Sequence, residues 1–124
     1  MLLRTALLAV LALTLSACAQ RTRPPGDAGV CYVVQPQKDG SLKYNKLVTT
    51  PDFEHCAANL EALRMKFLRM GGNQTEMVGA YQGGFIFLQH DGIFTAPSLE
   101  QHRYLALVRT GDGRLVIPGA MPRQ

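Results

Sequence analysis

The fold is decided by the stretch Thr50–Gly72, TPDFEHCAANLEALRMKFLRMGG, which predicts one long helix. Its apolar residues recur every three or four positions, which places them on one face of a helix: Phe53, Cys56, Ala57, Leu60, Leu63, Phe67 and Met70. We expect Thr50 to cap the helix, Pro51 to occupy its first position, and the Gly pair at 71–72 to end it. The chain therefore contains an amphipathic helix whose apolar face needs a surface to pack on.

The segments on either side of this helix have the composition of β-strands. Residues 30–35 and 42–48 are rich in β-branched and aromatic side chains and flank an Asp-Gly turn. After the helix, further strands are predicted within 76–81, 85–89, 93–95, 103–109 and 114–117, separated by turns that mostly contain glycine. The sequence therefore predicts an α+β fold, in which one antiparallel sheet of five or six strands carries the single long helix on one face.

The N-terminus has the pattern of a secretory signal. Arg4 precedes an unbroken apolar run over 6–13, and small residues follow. This run is shorter than the roughly 20 residues that cross a bilayer as a helix. The next residues, Leu15-Ser16-Ala17-Cys18, resemble the lipobox of bacterial lipoproteins.

That resemblance implies that residues 1–17 are cleaved as a signal peptide and that the thiol of Cys18 receives a diacylglycerol before the new amine is acylated. Ala19 stands where an inner-membrane retention signal would usually have Asp, which implies the outer membrane, with the domain facing the periplasm. Several acyl chains, palmitate among them, would hold the protein firmly. The alternative is a secreted protein cut at Ala17 or Ala19, in which Cys18 has no role.

Between the anchor and the first strand, residues 18–29 predict a flexible tether. The stretch 20–29, QRTRPPGDAG, is polar, contains two prolines and two glycines, and shows no periodicity. The total length of 124 residues leaves room for one compact domain. We therefore expect three parts: a signal peptide at 1–17, the lipidated cysteine and tether at 18–29, and a single small α+β domain at 30–124.

With Cys18 assigned to the lipid, Cys31 and Cys56 remain, and we expect them to form a disulfide in the oxidising periplasm. A metal site is disfavoured because two isolated cysteines lack further ligands, and His55 points about 100° away from its helical neighbour Cys56. Closing this loop would stabilise the domain by about 3–4 kcal/mol in the chain-entropy model. The sequence predicts no metal site.

The predicted strands carry apolar residues on both sides, whereas one helix covers only one face. If Cys31 points toward the helix, strand alternation turns Tyr32 to the uncovered face. We expect Tyr81 and Tyr104 to lie there as well, forming with Tyr32 a patch that binds an envelope protein or a second copy of the chain. The alternative is a strongly curled sheet that covers itself.

The motifs of enzymes and cofactor-binding proteins are missing from this sequence. It has no nucleophile elbow, phosphate-binding loop or zinc-protease motif, and its three histidines are far apart. We expect no catalytic residues and no cofactor. Once Arg4 is removed with the signal peptide, 12 basic residues remain against 9 acidic ones, and this excess of three is too small to indicate a nucleic-acid partner.

Together these features predict a non-catalytic lipoprotein of the outer membrane that acts as a small binding or accessory subunit in the cell envelope. Its partners are then the membrane, through Cys18, and an envelope protein or another copy of the chain. The alternative is a lipid-anchored inhibitor or effector that presents a loop, such as 90–97, to the cleft of an envelope enzyme.

Overall fold

A computed structural model describes residues 21–119, so the predictions for the signal peptide and for Cys18 lie outside the described residues. The helix α1 spans Phe53–Arg69. The strands are β1 (Val30–Pro36), β2 (Leu42–Thr49), β3 (Met77–Tyr81), β4 (Gly84–Gln89), β5 (Gly92–Ala96), β6 (Tyr104–Arg109) and β7 (Leu115–Val116). Within residues 21–119, no helix is long and apolar enough to cross a membrane.

All strands belong to one sheet in the order β2-β1-β3-β4-β5-β6-β7, and every neighbouring pair is antiparallel. The α+β class, with one antiparallel sheet and one helix, is confirmed. The expected strand count of five or six is wrong, because the sheet has seven strands. Strand β7 has only two residues, which pair with Val108 and Arg109 across a tight turn closed by the Thr110 amide and the Arg114 carbonyl at 3.1 Å.

Helix α1 begins two residues later than the sequence suggests, because its cap is Asp52. The carboxylate of Asp52 accepts a hydrogen bond from the His55 amide at 2.8 Å, and its backbone is extended. Thr50 is instead held at the end of β2, where its amide donates to the Gly29 carbonyl at 2.7 Å. The predicted end is confirmed, since the amide of Gly71, with φ of 87°, donates to the Leu68 carbonyl.

Only the first half of α1 packs closely on the sheet. Cys56, Ala57 and Leu60 are fully buried there. A Cβ on Gly79 of β3 would lie 2.3 Å from the Leu60 Cδ1 atom, so the absence of a side chain lets helix and sheet approach. Farther along, the predicted apolar stripe is exposed: Phe67 is 47% and Met70 is 73% exposed. From Glu61 onward the buried positions of the helix are polar.

The disulfide between Cys31 and Cys56 is present, with the two Cα atoms 5.4 Å apart, and joins β1 to α1. It lies in the core between helix and sheet, and Val33 packs against the same core. Tyr32 and Val34 point to the second face, as the alternation predicts. A separate cluster is buried on that face: Val34, Ala80, Phe85, Phe87 and Ala96.

Residues 22–29, here called the strap, are bonded to the domain rather than forming a free tether. The amide and hydroxyl of Thr22 donate to the Glu100 carboxylate at 2.9 and 2.8 Å. The Gly83 amide donates to the Pro25 carbonyl at 3.1 Å, and Pro24 is buried. The strap therefore lies along one end of the sheet, at the β3–β4 turn and the β5–β6 loop, which we call the strap end.

Candidate functional site

The three tyrosines predicted to share one binding patch lie in different environments. Tyr81 is only 6% exposed and belongs to the core beneath the helix, where its hydroxyl donates to the Thr50 carbonyl at 2.9 Å. The reason is the register of β1 and β3: Tyr81 is paired with Cys31, and directly paired residues point to the same face. Its expected position on the uncovered face is therefore wrong.

Tyr32 does lie on the second face, but it is tied to the strap, since its hydroxyl donates to the Asp27 carboxylate at 2.7 Å. Tyr104 is 62% exposed, and its ring packs edge-on against His102. The neighbouring Arg103 places its guanidinium 3.7 Å over the Phe87 ring on the second face, so alternation turns Tyr104 the other way. The structure does not bring the tyrosines together.

The loop considered for an inhibitor or effector role also takes a different form. Most of residues 90–97 belong to β5, which lies inside the sheet between β4 and β6. Ile93 of this strand is fully buried. His90 and Asp91 form the turn between β4 and β5, and Pro97 begins the β5–β6 loop, so this segment is not a projecting loop.

A groove of about 660 Å³ opens instead between α1 and the β6–β7 hairpin. This volume is within the range of small-molecule binding sites. The groove is lined from the helix by Glu54, Ala58, Glu61, Ala62, Arg64, Met65 and Arg69, and from the hairpin by Arg109, Gly111, Gly113, Arg114 and Leu115. We call it the arginine groove, because four of these residues are arginines.

Its floor is an ion-pair network centred on Glu61. Arg64, one helical turn later, places Nε 3.1 Å and Nη2 2.7 Å from the two carboxylate oxygens. Arg109 of β6 makes a second bidentate contact, with both distances at 2.9 Å. The side chains of Glu61 and Arg64 are only 10% and 11% exposed, so water competes weakly for these bonds.

The same two arginines tie the floor to distant parts of the chain. The Nη1 atom of Arg109 donates to the carbonyls of Gln89 and His90 in the β4–β5 turn, at 2.6 and 3.3 Å. The Nη1 atom of Arg64 donates to the Thr75 carbonyl ahead of β3 at 3.0 Å. The network therefore fixes the position of α1 relative to three other segments, which makes the floor rigid.

The charges in the floor determine what Glu61 can do chemically. Burial alone would raise the pKa of Glu61, but hydrogen bonds and charges from Arg109 and Arg64 outweigh burial and lower the pKa to about 2. Glu61 is therefore ionised at neutral pH, and both of its oxygens already accept two bonds from arginine. A general base needs a free lone pair and a pKa near the working pH, so Glu61 does not suit acid–base catalysis.

The rim of the groove adds further positive charge. Arg69 on the helix and Arg114 on the hairpin stand on opposite walls, and Glu54 on the helix is the one acidic side chain within residues 21–119 that lines the groove outside the floor. Arg114 pairs with Asp112 at 2.9 Å, and the Thr110 hydroxyl and Arg114 lower the pKa of Asp112 to about 2. Apolar atoms fill the space between the charges, from Ala58, Ala62, Met65 and Leu115. The groove therefore suits a molecule that combines an anionic group with an apolar part.

A second groove, of about 710 Å³, runs between the end of α1 and the β1–β3 region. Its walls include the exposed Phe67 and Met70 together with Val33 and Met77. Among the described residues that line it, Glu76 is the one charged side chain. Its other polar side chains within residues 21–119 are uncharged amides, Gln35, Gln37, Asn73 and Gln74, so they offer no cluster of like charges comparable to that of the arginine groove.

Sequence reasoning did not identify the Glu61 network. The spacing of Glu61 and Arg64 is a typical helical ion pair, and this signal is visible in the sequence. Arg109 lies 48 residues away, and no local pattern links it to the helix. Residues 21–119 contain no group of three His, Cys, Asp or Glu side chains placed to hold a metal ion.

The chain matches no protein-family model, no curated protein and no solved structure, so its function is inferred from the geometry of its own site.

Proposed function

We propose that this chain is a lipid-anchored, non-catalytic binding domain of the cell envelope and that the arginine groove is its binding site. The anchor is supported by Leu15-Ser16-Ala17-Cys18, which resembles a lipobox. The single observation that carries the binding role is the groove itself, with its rigid ion-paired floor and its surplus of arginine.

A fixed floor favours binding because little conformational freedom is lost when the partner arrives. Arg64 and Arg109 are already held by Glu61 and by backbone carbonyls. Their positions do not depend on a ligand. The groove is therefore preorganised on its inner side, while at the rim Arg69 and Arg114 are exposed and Arg114 is paired with Asp112.

The charge balance identifies the class of partner. Four arginines and two glutamates line the groove, and Asp112 beside it pairs with Arg114, which leaves an excess of one positive charge. The Glu61 charge is already neutralised within the floor, so an incoming group meets mainly the rim arginines. A carboxylate or phosphate group fits this field, since arginine forms strong charge-assisted bonds with either. The apolar wall would contact the remainder of the partner.

The test is site-specific photocrosslinking in cells. A photoreactive residue is placed at Ala62, which is exposed in the groove wall, or at Asn45 on β2, at the opposite edge of the sheet from the β6–β7 hairpin, as a reference position. We expect a discrete crosslinked product from position 62 and none of the same mass from position 45. Equal products from both positions would contradict the groove as the binding site.

Charge reversal then tests the role of the arginines. The pair Arg69→Glu and Arg114→Glu should remove the crosslink, because both exposed side chains lie at the rim. The matched control is Lys43→Glu with Lys46→Glu on β2, which changes the net charge equally but lies outside the groove. A crosslink that survives the groove reversal, or that is lost equally in the control, would refute recognition of an anionic group.

A further inference from the structure

We infer that the strap fixes the orientation of the domain on the membrane: the strap end faces the phospholipid headgroups, and the floor and hairpin wall of the arginine groove lie at the opposite end. This inference rests on the proposed lipid anchor at Cys18. It follows from where the strap is bonded, how little chain remains before Cys18, and where the groove lies along the strands.

The strap is held at both of its ends. Thr22 binds the Glu100 carboxylate through its amide and hydroxyl, and its carbonyl accepts the Leu99 amide at 3.3 Å. At the other end, the Gly29 amide donates to the Gln82 side chain at 2.9 Å. The chain therefore leaves the domain at Thr22. A free tether would instead leave it at the start of β1.

This contact shortens the distance to the anchor. Four residue steps separate Cys18 from Thr22, which span at most about 14 Å when fully extended. If residues 18–30 formed a free tether, twelve residue steps would separate Cys18 from Val30, and twelve fully extended steps reach about 40 Å. The strap end is consequently confined close to the bilayer surface.

The floor of the groove and its hairpin wall lie at the other end of the sheet, although the helix wall extends back to Glu54 near the start of α1. Strand β4 begins at Gly84, beside the strap contact at Gly83, and ends at Gln89, whose carbonyl binds the groove residue Arg109. Five steps along an antiparallel strand span about 17 Å. This length exceeds the remaining chain before Thr22, so the domain cannot turn over and bring the groove end down to the membrane.

The strap end also carries side chains suited to a headgroup layer. Arg21 and Arg23 are exposed and offer cations to phosphate groups. Tyr104 is 62% and Leu105 is 45% exposed at the start of β6. Tyrosine, with its apolar ring and polar hydroxyl, suits the boundary between headgroups and water.

The test uses fluorescence, because the chain contains no tryptophan and a single introduced indole is a unique probe. Lipidated full-length protein carrying Tyr104→Trp is reconstituted in phosphatidylethanolamine–phosphatidylglycerol vesicles whose acyl chains are brominated near the headgroup. The matched protein carries Met65→Trp in the groove wall, where the native side chain is 43% exposed. We expect a loss of fluorescence for Tyr104→Trp and none for Met65→Trp.

Lengthening the chain between Cys18 and the strap tests whether the short connection causes the quenching. Ten Gly and Ser residues inserted between Gln20 and Arg21 should diminish the quenching of Tyr104→Trp, because the strap contacts stay intact while the anchor moves away. Equal quenching of both probes, stronger quenching of Met65→Trp, or quenching that the insertion leaves unchanged would overturn the inference. Protein that does not stay with the vesicles at all would instead refute the lipid anchor.

Discussion

Replacing Glu61 by glutamine removes the charge at the centre of the groove floor and keeps the shape of the side chain. In the native protein two guanidinium groups share this carboxylate. Glutamine can satisfy only part of their hydrogen bonds and none of their charge. We expect the variant to fold, because the disulfide and the apolar core are untouched, but to have a lower free energy of unfolding at neutral pH.

The magnitude follows from the lowered pKa. A change from 4.5 to about 2 corresponds to about 3 kcal/mol at 1.36 kcal/mol per unit. The side chain of Glu61 is 10% exposed and that of Arg109 is 24% exposed, so solvent screening reduces this stabilisation. We therefore expect Glu61→Gln to lower the free energy of unfolding by about 2 kcal/mol. Because the folded pKa lies below the unfolded one, this stabilisation is complete above about pH 4.5 and disappears as pH falls through about 2.

The assay is urea unfolding of both proteins, with the disulfide intact, from pH 7 down to pH 2. We expect the difference between native protein and Glu61→Gln to be largest at pH 7 and to shrink below pH 4.5. Asp112→Asn is the matched control, because the pKa of Asp112 is also lowered to about 2 but its side chain is 53% exposed. For Asp112→Asn, the difference in unfolding free energy from the native protein should depend less on pH. A difference for Glu61→Gln that is constant over the whole pH range would refute the reasoning.

Three further substitutions test the fold and the anchor. Leu60→Asp should unfold the domain, because it places a charge in the fully buried contact between helix and sheet. Ala58→Asp, at an exposed position of the same helix, should leave circular dichroism and the melting temperature almost unchanged. Similar melting temperatures for the two variants would contradict the packing of the helix on the sheet. Gly79→Ala should lower the free energy of unfolding in urea by about 1–3 kcal/mol, because the added Cβ would meet Leu60 and the Tyr32 carbonyl. An unchanged free energy of unfolding would show that the helix can move away freely. Cys18→Ser should abolish incorporation of labelled palmitate and release the protein from membrane fractions, and unchanged membrane attachment would refute the lipoprotein proposal.

The parts of the fold that depend on local periodicity and covalent chemistry could be predicted from the sequence. The apolar spacing around Leu60 defines the helix, and the expected oxidising compartment together with an even cysteine pair predicts the disulfide. From that bond, alternation correctly places Tyr32 on the face away from the helix. Each step needs only neighbouring residues or one covalent constraint.

The parts that depend on pairing between distant strands could not be predicted. Tyr81 faces the helix because it is paired with Cys31, 50 positions earlier in the chain, and one sequence does not reveal that register. The floor of the groove has the same origin, since Arg109 reaches Glu61 only after β6 has joined the sheet. The contacts of the strap could not be predicted either, because its composition is typical of a tether and its bonding partners, such as Gln82 and Glu100, are distant in the chain.

The order of the strands also determines how copies of this domain behave when they are crowded together. Another chain could add a strand to the described sheet along β2 at one side, and at the other side along β7 or along the part of β6 ahead of Val108 that β7 leaves unpaired. Strand β2 carries the exposed Lys43 and Lys46, and repulsion between lysines discourages pairing of two copies along this edge. Strand β7 is two residues long and offers too few hydrogen bonds to template an intruding chain. The β2 edge is therefore protected against aggregation by charge, whereas the other edge is closed only where β7 covers Val108 and Arg109, and crowded copies of the domain would meet most readily along the uncovered part of β6.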